Sequence, residues 1–229
     1  MDRIRILGLT DLHSNGQVPL DRLKKTIQQK NINLIIITGD LSTFGGKKIV
    51  KKILEAFNRL EKPILYIPGN MDQPETANIQ FGNIIPVHER SQKIHNIYFI
   101  GIGGSNETPF VCPFTLTETE IQQALTTAYG SVPNGSPFIL LTHAPPKDSE
   151  ADRLKNGQHV GSKIIRTFIE EKRPILVLCG HIHEAQSISQ INGITCINPG
   201  PAAHGNATII DLELRETEIL VANAELIHF

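Results

Sequence analysis

Hydrophobic positions along this chain follow two different periods. Uninterrupted apolar runs occur at residues 34–37, 64–67, 138–141 and 175–178, and a mostly apolar stretch at 4–9 precedes them. Short apolar runs without polar alternation suit strands covered on both faces, so these segments predict a sheet that is at least partly parallel. Between them, Leu20, Leu23 and Ile27 recur at helical spacing until Asn31 and Asn33, and Ile49, Ile53, Ala56, Phe57 and Leu60 mark a second amphipathic helix. Thr117 followed three residues later by Glu120 is a capping-box signature for a helix running towards Tyr129. A further helix is expected around Ile164, Ile165, Phe168 and Ile169.

From Ile84 onward shorter strands enter, with 97–100 leading into Gly101, Gly103 and Gly104. Near the end, Ile188, Ile191 and Ile194 flank Asn192-Gly193, a strong signal for a two-residue hairpin, and strand-like runs follow at 207–214 and 218–224. The pattern predicts an α/β (α+β) fold in which two packed mixed β-sheets are flanked by helices, a four-layer αββα sandwich. Residues 1–229 are expected to form a single domain, with no repeat, low-complexity tract or linker.

Composition narrows the function classes. At 229 residues and 40% hydrophobic, the chain can bury a substantial core, and a net charge of −1 gives no overall attraction to nucleic acid or an anionic membrane. Cys112, Cys179 and Cys196 are odd in number and not closely spaced, which argues against a disulfide framework and for core-filling thiols in a reducing compartment. Asp2, Arg3 and Arg5 interrupt the N-terminus before an apolar run can form, and no later stretch has transmembrane length, so a cytoplasmic location without a signal peptide is expected.

Polar residues that directly follow the predicted strands are Asp11 and His13, Gly39-Asp40, Gly69-Asn70, Thr142-His143, and Gly180-His181-Ile182-His183. Taken singly, an Asp-x-His or Gly-Asp after a strand is commonly turn chemistry. Two histidines straight after a buried strand say more, because they would be costly as core residues. Loops at the carboxyl ends of parallel strands converge, so donors scattered over most of the chain can meet in one place.

The set as a whole resembles the calcineurin-like metallophosphoesterase family, whose pattern is D-x-H, G-D, G-N-H-D/E, H and G-H-x-H. Here it reads Asp11-x-His13, Gly39-Asp40, Gly69-Asn70-Met71-Asp72, His143 and Gly180-His181-Ile182-His183. The resemblance implies that Asp11, His13 and His183 hold one divalent metal, that Asn70, His143 and His181 hold a second, and that Asp40 bridges both. It favours manganese, while the mixed carboxylate, imidazole and amide donors also suit iron or zinc. Two cations about 4 Å apart can share a hydroxide that attacks phosphorus while the metals clamp the phosphate oxygens. Asn198-Pro199-Gly200 looks like a turn that closes the site in this family; as residue types alone it is an ordinary turn.

One position departs from the pattern. The family's histidine after the metal-binding asparagine is Met71 here, and a thioether has no proton to give, which removes a contribution typically worth about 10²-fold or more. Asp72 beside it is expected to support Asn70 or His13 by hydrogen bonding. His159, in the Gly157–Ser162 segment, is the candidate to replace the missing acid, with His204 a weaker one; a solvated loop histidine is the alternative for His159. The catalytic set is therefore expected to be Asp40, Asn70, His143 and His159. The Gly103-Gly104-Ser105-Asn106 loop is read as a turn, and Lys47, Lys48, Lys51 and Lys52 as the solvated face of a helix.

Two functional readings follow. One is a metal-dependent phosphoric ester hydrolase, phosphatase or phosphodiesterase, acting on a small phosphate ester without nucleic-acid or membrane partners. The other is a catalytically weakened binding scaffold on the same fold, which Met71 keeps open. Substrate and oligomeric state stay open, a homodimer included.

Overall fold

The structure is a computed structural model that describes residues 2–215 and 218–229. The elements run β1 (Asp2–Leu9), α1 (Leu20–Lys30), β2 (Leu34–Thr38), α2 (Lys47–Asn58), β3 (Ile64–Ile67), β4 (Ile84–Pro86), β5 (Arg90–Ile94), β6 (Ile97–Ile102), α3 (Glu118–Tyr129), β7 (Phe138–Thr142), α4 (Lys163–Lys172), β8 (Leu176–Leu178), β9 (Ser187–Ile191), β10 (Ile194–Asn198), β11 (Asn206–Leu214) and β12 (Ile219–His228). Two six-stranded sheets result, ordered β12-β11-β1-β2-β3-β4 and β5-β6-β7-β8-β10-β9.

The first sheet is antiparallel at one edge only, whereas the second is antiparallel at both. In the first, β1, β2, β3 and β4 run parallel, β11 pairs antiparallel with β1, and β12 pairs antiparallel with β11. In the second, β6, β7, β8 and β10 are parallel and β5 and β9 antiparallel. The β9–β10 hairpin turns at Asn192 and Gly193, whose φ of 48° and 82° are the left-handed values a type I′ turn requires.

Alternation along each apolar run separates the layers. Ile35, Ile37 and Tyr66 face α1 and α2, where Leu23, Ile27, Ile53 and Phe57 cover them. Leu34, Ile36, Leu65 and Ile67 point the other way, against Phe99, Ile139, Leu141, Leu176 and Leu178 of the second sheet. The outer face of that sheet, through Ile100, Leu140 and Val177, is covered by Ile121 and Leu125 of α3 and by Ile165 and Ile169 of α4. The four-layer αββα arrangement expected from periodicity is therefore the observed one, and it explains the unbroken apolar runs: a central strand buries both faces.

The helices begin and end where local chemistry allows. Thr117 Oγ accepts from Glu120 N at 3.2 Å while Glu120 Oε2 accepts from Thr117 N at 2.8 Å, the expected reciprocal box. The lysines of α2 are exposed, and Lys51 pairs with Glu55 one turn on, so that stripe is a solvated helix face. All the connections that leave the carboxyl ends of β1, β2, β3, β7 and β8 open on one side of the sandwich, which is where the polar motifs lie.

Candidate metal centre

Seven donors meet at the mouth between the two sheets. Asp11 and His13 follow β1, Asp40 follows β2 and Asn70 follows β3; His143 follows β7, and His181 and His183 follow β8. Ligand atoms of Asp11, His13 and His183 lie within 4.8 Å of one another, and so do those of Asp11, Asp40 and His143. His183 Nε2 is 3.1 Å from His13 Nε2 and 3.2 Å from Asp11 Oδ1. Asp40 spans the two groups, with Oδ2 3.7 Å from His13 Nε2 and Oδ1 3.5 Å from His143 Nε2. Asn70 Oδ1 is 2.9 Å from His143 Nε2. His181 lies outside both tight groups, its ring edge-on to His143 with centroids 5.1 Å apart.

The backbone delivers these side chains by unusual turns. Asp11, His13, Asp40 and His181 all have positive φ, between 44° and 70°, a conformation that non-glycine residues adopt at some cost and that clusters at functional sites. Two glycines make room. A Cβ on Gly39 would overlap the His143 ring, and one on Gly180 would overlap the Thr10 hydroxyl.

Neighbouring groups fix each donor. Asp11 Oδ2 accepts from Thr10 Oγ at 2.8 Å and from His181 N at 3.0 Å. His13 Nδ1 lies 3.1 Å from Thr43 Oγ, and Asp40 Oδ1 accepts from Met71 N at 2.8 Å. Asn70 Nδ2 reaches Cys112 Sγ at 3.1 Å. Thr43 and Cys112 are missing from the sequence reading, which assigned Cys112 to core filling. It is half-buried on the wall of the cleft, and nothing local to Cys112 signals its contact with Asn70, 42 residues earlier.

Charge supports a cation here. His143 Nδ1 is 2.8 Å from the Thr38 carbonyl, which can only accept, so Nδ1 carries the ring proton and Nε2 offers a lone pair towards Asp40 and Asn70. Acceptors converging in this way require positive charge among them. A proton supplies it when no ion is bound: burial opposes protonation of His143, but Asp40, Asp11 and Thr38 outweigh it and push the pKa up to about 9. His181 goes the other way, to about 4, through burial and then the nearby His143 charge. Asp11 is held well below the usual carboxylate range, its burial overcome by hydrogen bonds from His13 and His183. Two buried carboxylates, four imidazoles and an amide are the donor chemistry of borderline divalent cations, so the residues present fit the metals that the sequence resemblance implies.

Two expectations turn out differently. Asp72 is fully buried but touches neither Asn70 nor His13 through its carboxylate. It accepts from Leu41 N and Ser42 N at 3.0 and 2.9 Å, from Ser42 Oγ at 2.9 Å and from Gly69 N at 2.9 Å, tying the Asp40 and Asn70 loops together. Burial and the proximity of Asp40 push its carboxyl up to about 6 against those bonds. His159 lines neither cleft beside the donors; its Nδ1 is 2.6 Å from Asp152 Oδ1. His204, by contrast, shares with His181 and His183 the wall of a cleft of about 480 Å³. Asn198 does meet the histidine loop, donating to Ile182 O at 2.9 Å and accepting from Gly200 N at 3.0 Å. The amides of Gly103, Gly104 and Ser105 are spent on His88, Pro68 and Phe114, in keeping with a turn.

Known proteins resemble this chain in sequence and in fold. The sequence profile of the calcineurin-like phosphoesterases matches residues 4–185. An uncharacterised protein of Methanocaldococcus jannaschii is 34% identical over 206 residues, covering 88% of this chain and 90% of that one. A probable cyclic nucleotide phosphodiesterase of Rhodopseudomonas palustris is 24% identical over 207 residues, covering 79% and 72%. Among solved structures, a protein of Thermus thermophilus superposes with a TM-score of 0.74 at 17% identity over 99% of each chain. A dimetal phosphatase from Danio rerio gives 0.62 at 10% identity over 98% of each. The chain belongs to the calcineurin-like phosphoesterase family.

Proposed function

We propose that this chain is a dinuclear-metal phosphoesterase that hydrolyses a small phosphomonoester or phosphodiester, with residues 1–229 acting as one catalytic unit. The observation that carries the reading is the reach of Asp40 into both halves of the donor set, Oδ2 towards His13 and Oδ1 towards His143. In this reading Asp11, His13 and His183 hold one ion, and Asn70, His143 and His181 the other, with Asp40 common to both. The bound ions supply Lewis-acid stabilisation of the phosphate and an acidified water.

The chain's own residues do the rest. Thr38, Thr43, Thr10 and Met71 N hold the donor rings and carboxylates in place, so little has to reorganise when the substrate arrives. Met71 has no proton to offer a leaving oxygen. His204 lines a cleft together with two of the donors, which makes it a better candidate for that task than His159, whose Nδ1 is engaged by Asp152. The name of the Rhodopseudomonas relative is a reason to test diesters as well as monoesters. Manganese is our first choice of metal, with iron and zinc suited to the same donors, and the three free thiols suit a reducing, cytoplasmic setting.

The test is hydrolysis of an activated aryl phosphomonoester and diester with added manganese, alongside metal analysis of the purified protein and of Asp40→Asn. Metal-dependent turnover lost in Asp40→Asn supports the proposal. No metal-dependent turnover of either ester, whether or not metal is bound, would move the assignment to the binding scaffold.

A further inference from the structure

A cleft of about 390 Å³ opens directly onto the donor set, bounded on one side by His13, Asp40, Asn70, His181 and His183. Its remaining wall is Phe44, Met71, Thr108, Phe110 and Cys112. Two aromatic rings stand there largely in solvent, Phe44 at 54% and Phe110 at 79% exposure. Phe44 also takes a left-handed backbone, φ 56°, which is unfavourable for a bulky side chain, and its N–H is held by Met71 O at 3.1 Å. One exposed phenylalanine would be ordinary. Two that meet a methionine beside a set of ionic donors form a built apolar wall.

The chemistry of that wall restricts the alcohol half of a substrate. None of its five residues is charged, so a second phosphate or a carboxylate would find no ion partner among the described lining. Its polar side chains are already engaged: Thr108 Oγ donates to Phe110 O at 2.6 Å, and Cys112 Sγ receives Asn70 Nδ2, which leaves the Thr108 hydroxyl able only to accept. Sugar hydroxyls would therefore find one side-chain acceptor along this wall and little else to bond. A flat, uncharged ring loses nothing there and gains aromatic and thioether contacts.

Resting on the phosphoesterase reading, we propose that the site selects phosphate esters whose alcohol carries a planar aromatic ring, aryl or nucleobase, held against Phe44 and Phe110. Each ring-to-ring contact is worth roughly two- to tenfold in affinity. Because the ring contacts do not change as the ester bond breaks, their benefit is uniform binding, expressed in KM rather than kcat.

The experiment is calorimetric titration of the manganese-loaded full chain with phenylphosphonate and with methylphosphonate, which share the anionic head and are not hydrolysed. Phenylphosphonate is expected to bind at least about tenfold more tightly. Phe44→Ala and Phe110→Ala should each shrink that ratio by roughly two- to tenfold, Phe110→Tyr should restore it, and the neighbouring Val111→Ala, off the lining, should leave it alone. Thermal melts check that each variant folds. Adenosine 5′-monophosphate against ribose 5-phosphate tells a nucleobase from a simple aryl group as the preferred ring. Equal affinity for the two phosphonates, or a ratio unmoved by both alanine variants, overturns the ring proposal while methylphosphonate binding keeps the phosphoesterase reading standing. Binding of neither phosphonate to metal-loaded protein overturns both.

Discussion

Asp152 offers the sharpest quantitative test of how this side of the molecule is held. Its carboxylate is completely buried and collects four well-formed bonds: Oδ2 from Gly161 N at 2.8 Å and Asp148 N at 3.2 Å, Oδ1 from Ser149 N at 2.9 Å and His159 Nδ1 at 2.6 Å. In Asp152→Asn, the amide keeps its carbonyl towards Gly161 and Asp148, because turning it the other way would strand two backbone N–H groups. The NH₂ then faces His159, which can accept after a tautomer switch, and Ser149 N, which cannot. One buried N–H left without an acceptor costs about 1–3 kcal/mol, and the two surviving bonds lose their charge assistance. Allowing for relief from burying a charge, the expected loss is about 3 kcal/mol. His159→Ala removes only a partly exposed partner and should cost about 1 kcal/mol. For a chain of this length, about 1 kcal/mol moves the midpoint by roughly 2–4 °C, so calorimetric melts should fall by roughly 6–12 °C and 2–4 °C respectively. An Asp152→Asn melt within about 2 °C of wild type would refute the accounting. Equal losses in the two variants would mean that the carboxylate serves the imidazole rather than the loop.

Cys112→Ala should free the Asn70 amide and weaken metal retention by roughly tenfold in a chelator competition, while Cys112→Ser, which keeps an acceptor, should retain most of it. His88 Nδ1 accepts from Gly103 N, and burial lowers its pKa below 6.5, with Glu89 opposing and Arg90 assisting. The unfolded chain therefore takes up the proton first, and the stability present above pH 6.5 is lost as the pH falls through and below that value. Replacement by Gln should flatten the dependence of the melting temperature on pH between about 7 and 5, and an unchanged slope would contradict the assignment. Glu118 of α3 accepts from Ser162 Oγ, Lys163 N and Ile164 N, closing the start of α4 from a neighbouring helix. Glu118→Ala should cost about 1–2 kcal/mol in urea unfolding, against a few tenths for an exposed glutamate elsewhere.

What could be read from residues alone was whatever depends on short range. Four-residue apolar runs, the Thr117–Glu120 box and the Asn192-Gly193 turn each specify their element locally, and the structure has all of them. The donors were legible because they follow strands whose carboxyl ends had to converge. Sheet order was not, since nothing in Asn206–Leu214 says that it will pair with β1, two hundred residues earlier. Cys112 and Asp72 were opaque for the same reason: their partners include groups brought near by distant segments, Asn70 for the first and Leu41 and Ser42 for the second. A lone histidine such as His159 carries no sign of which way its ring will turn, and a buried carboxylate seven residues away settled that.

The donor set draws on both sheets. Asp11, His13, Asp40 and Asn70 come from the strands of one, His143, His181 and His183 from those of the other, and each tight group mixes the two. Any cation bound there would act as a rivet through the interface, so ion affinity and sheet docking are thermodynamically linked. Stripping the ion should loosen the seam before it melts either layer. Amide exchange would then quicken first at the carboxyl ends of β1, β2, β7 and β8, and loading could serve as a gauge of whether the halves have closed on each other.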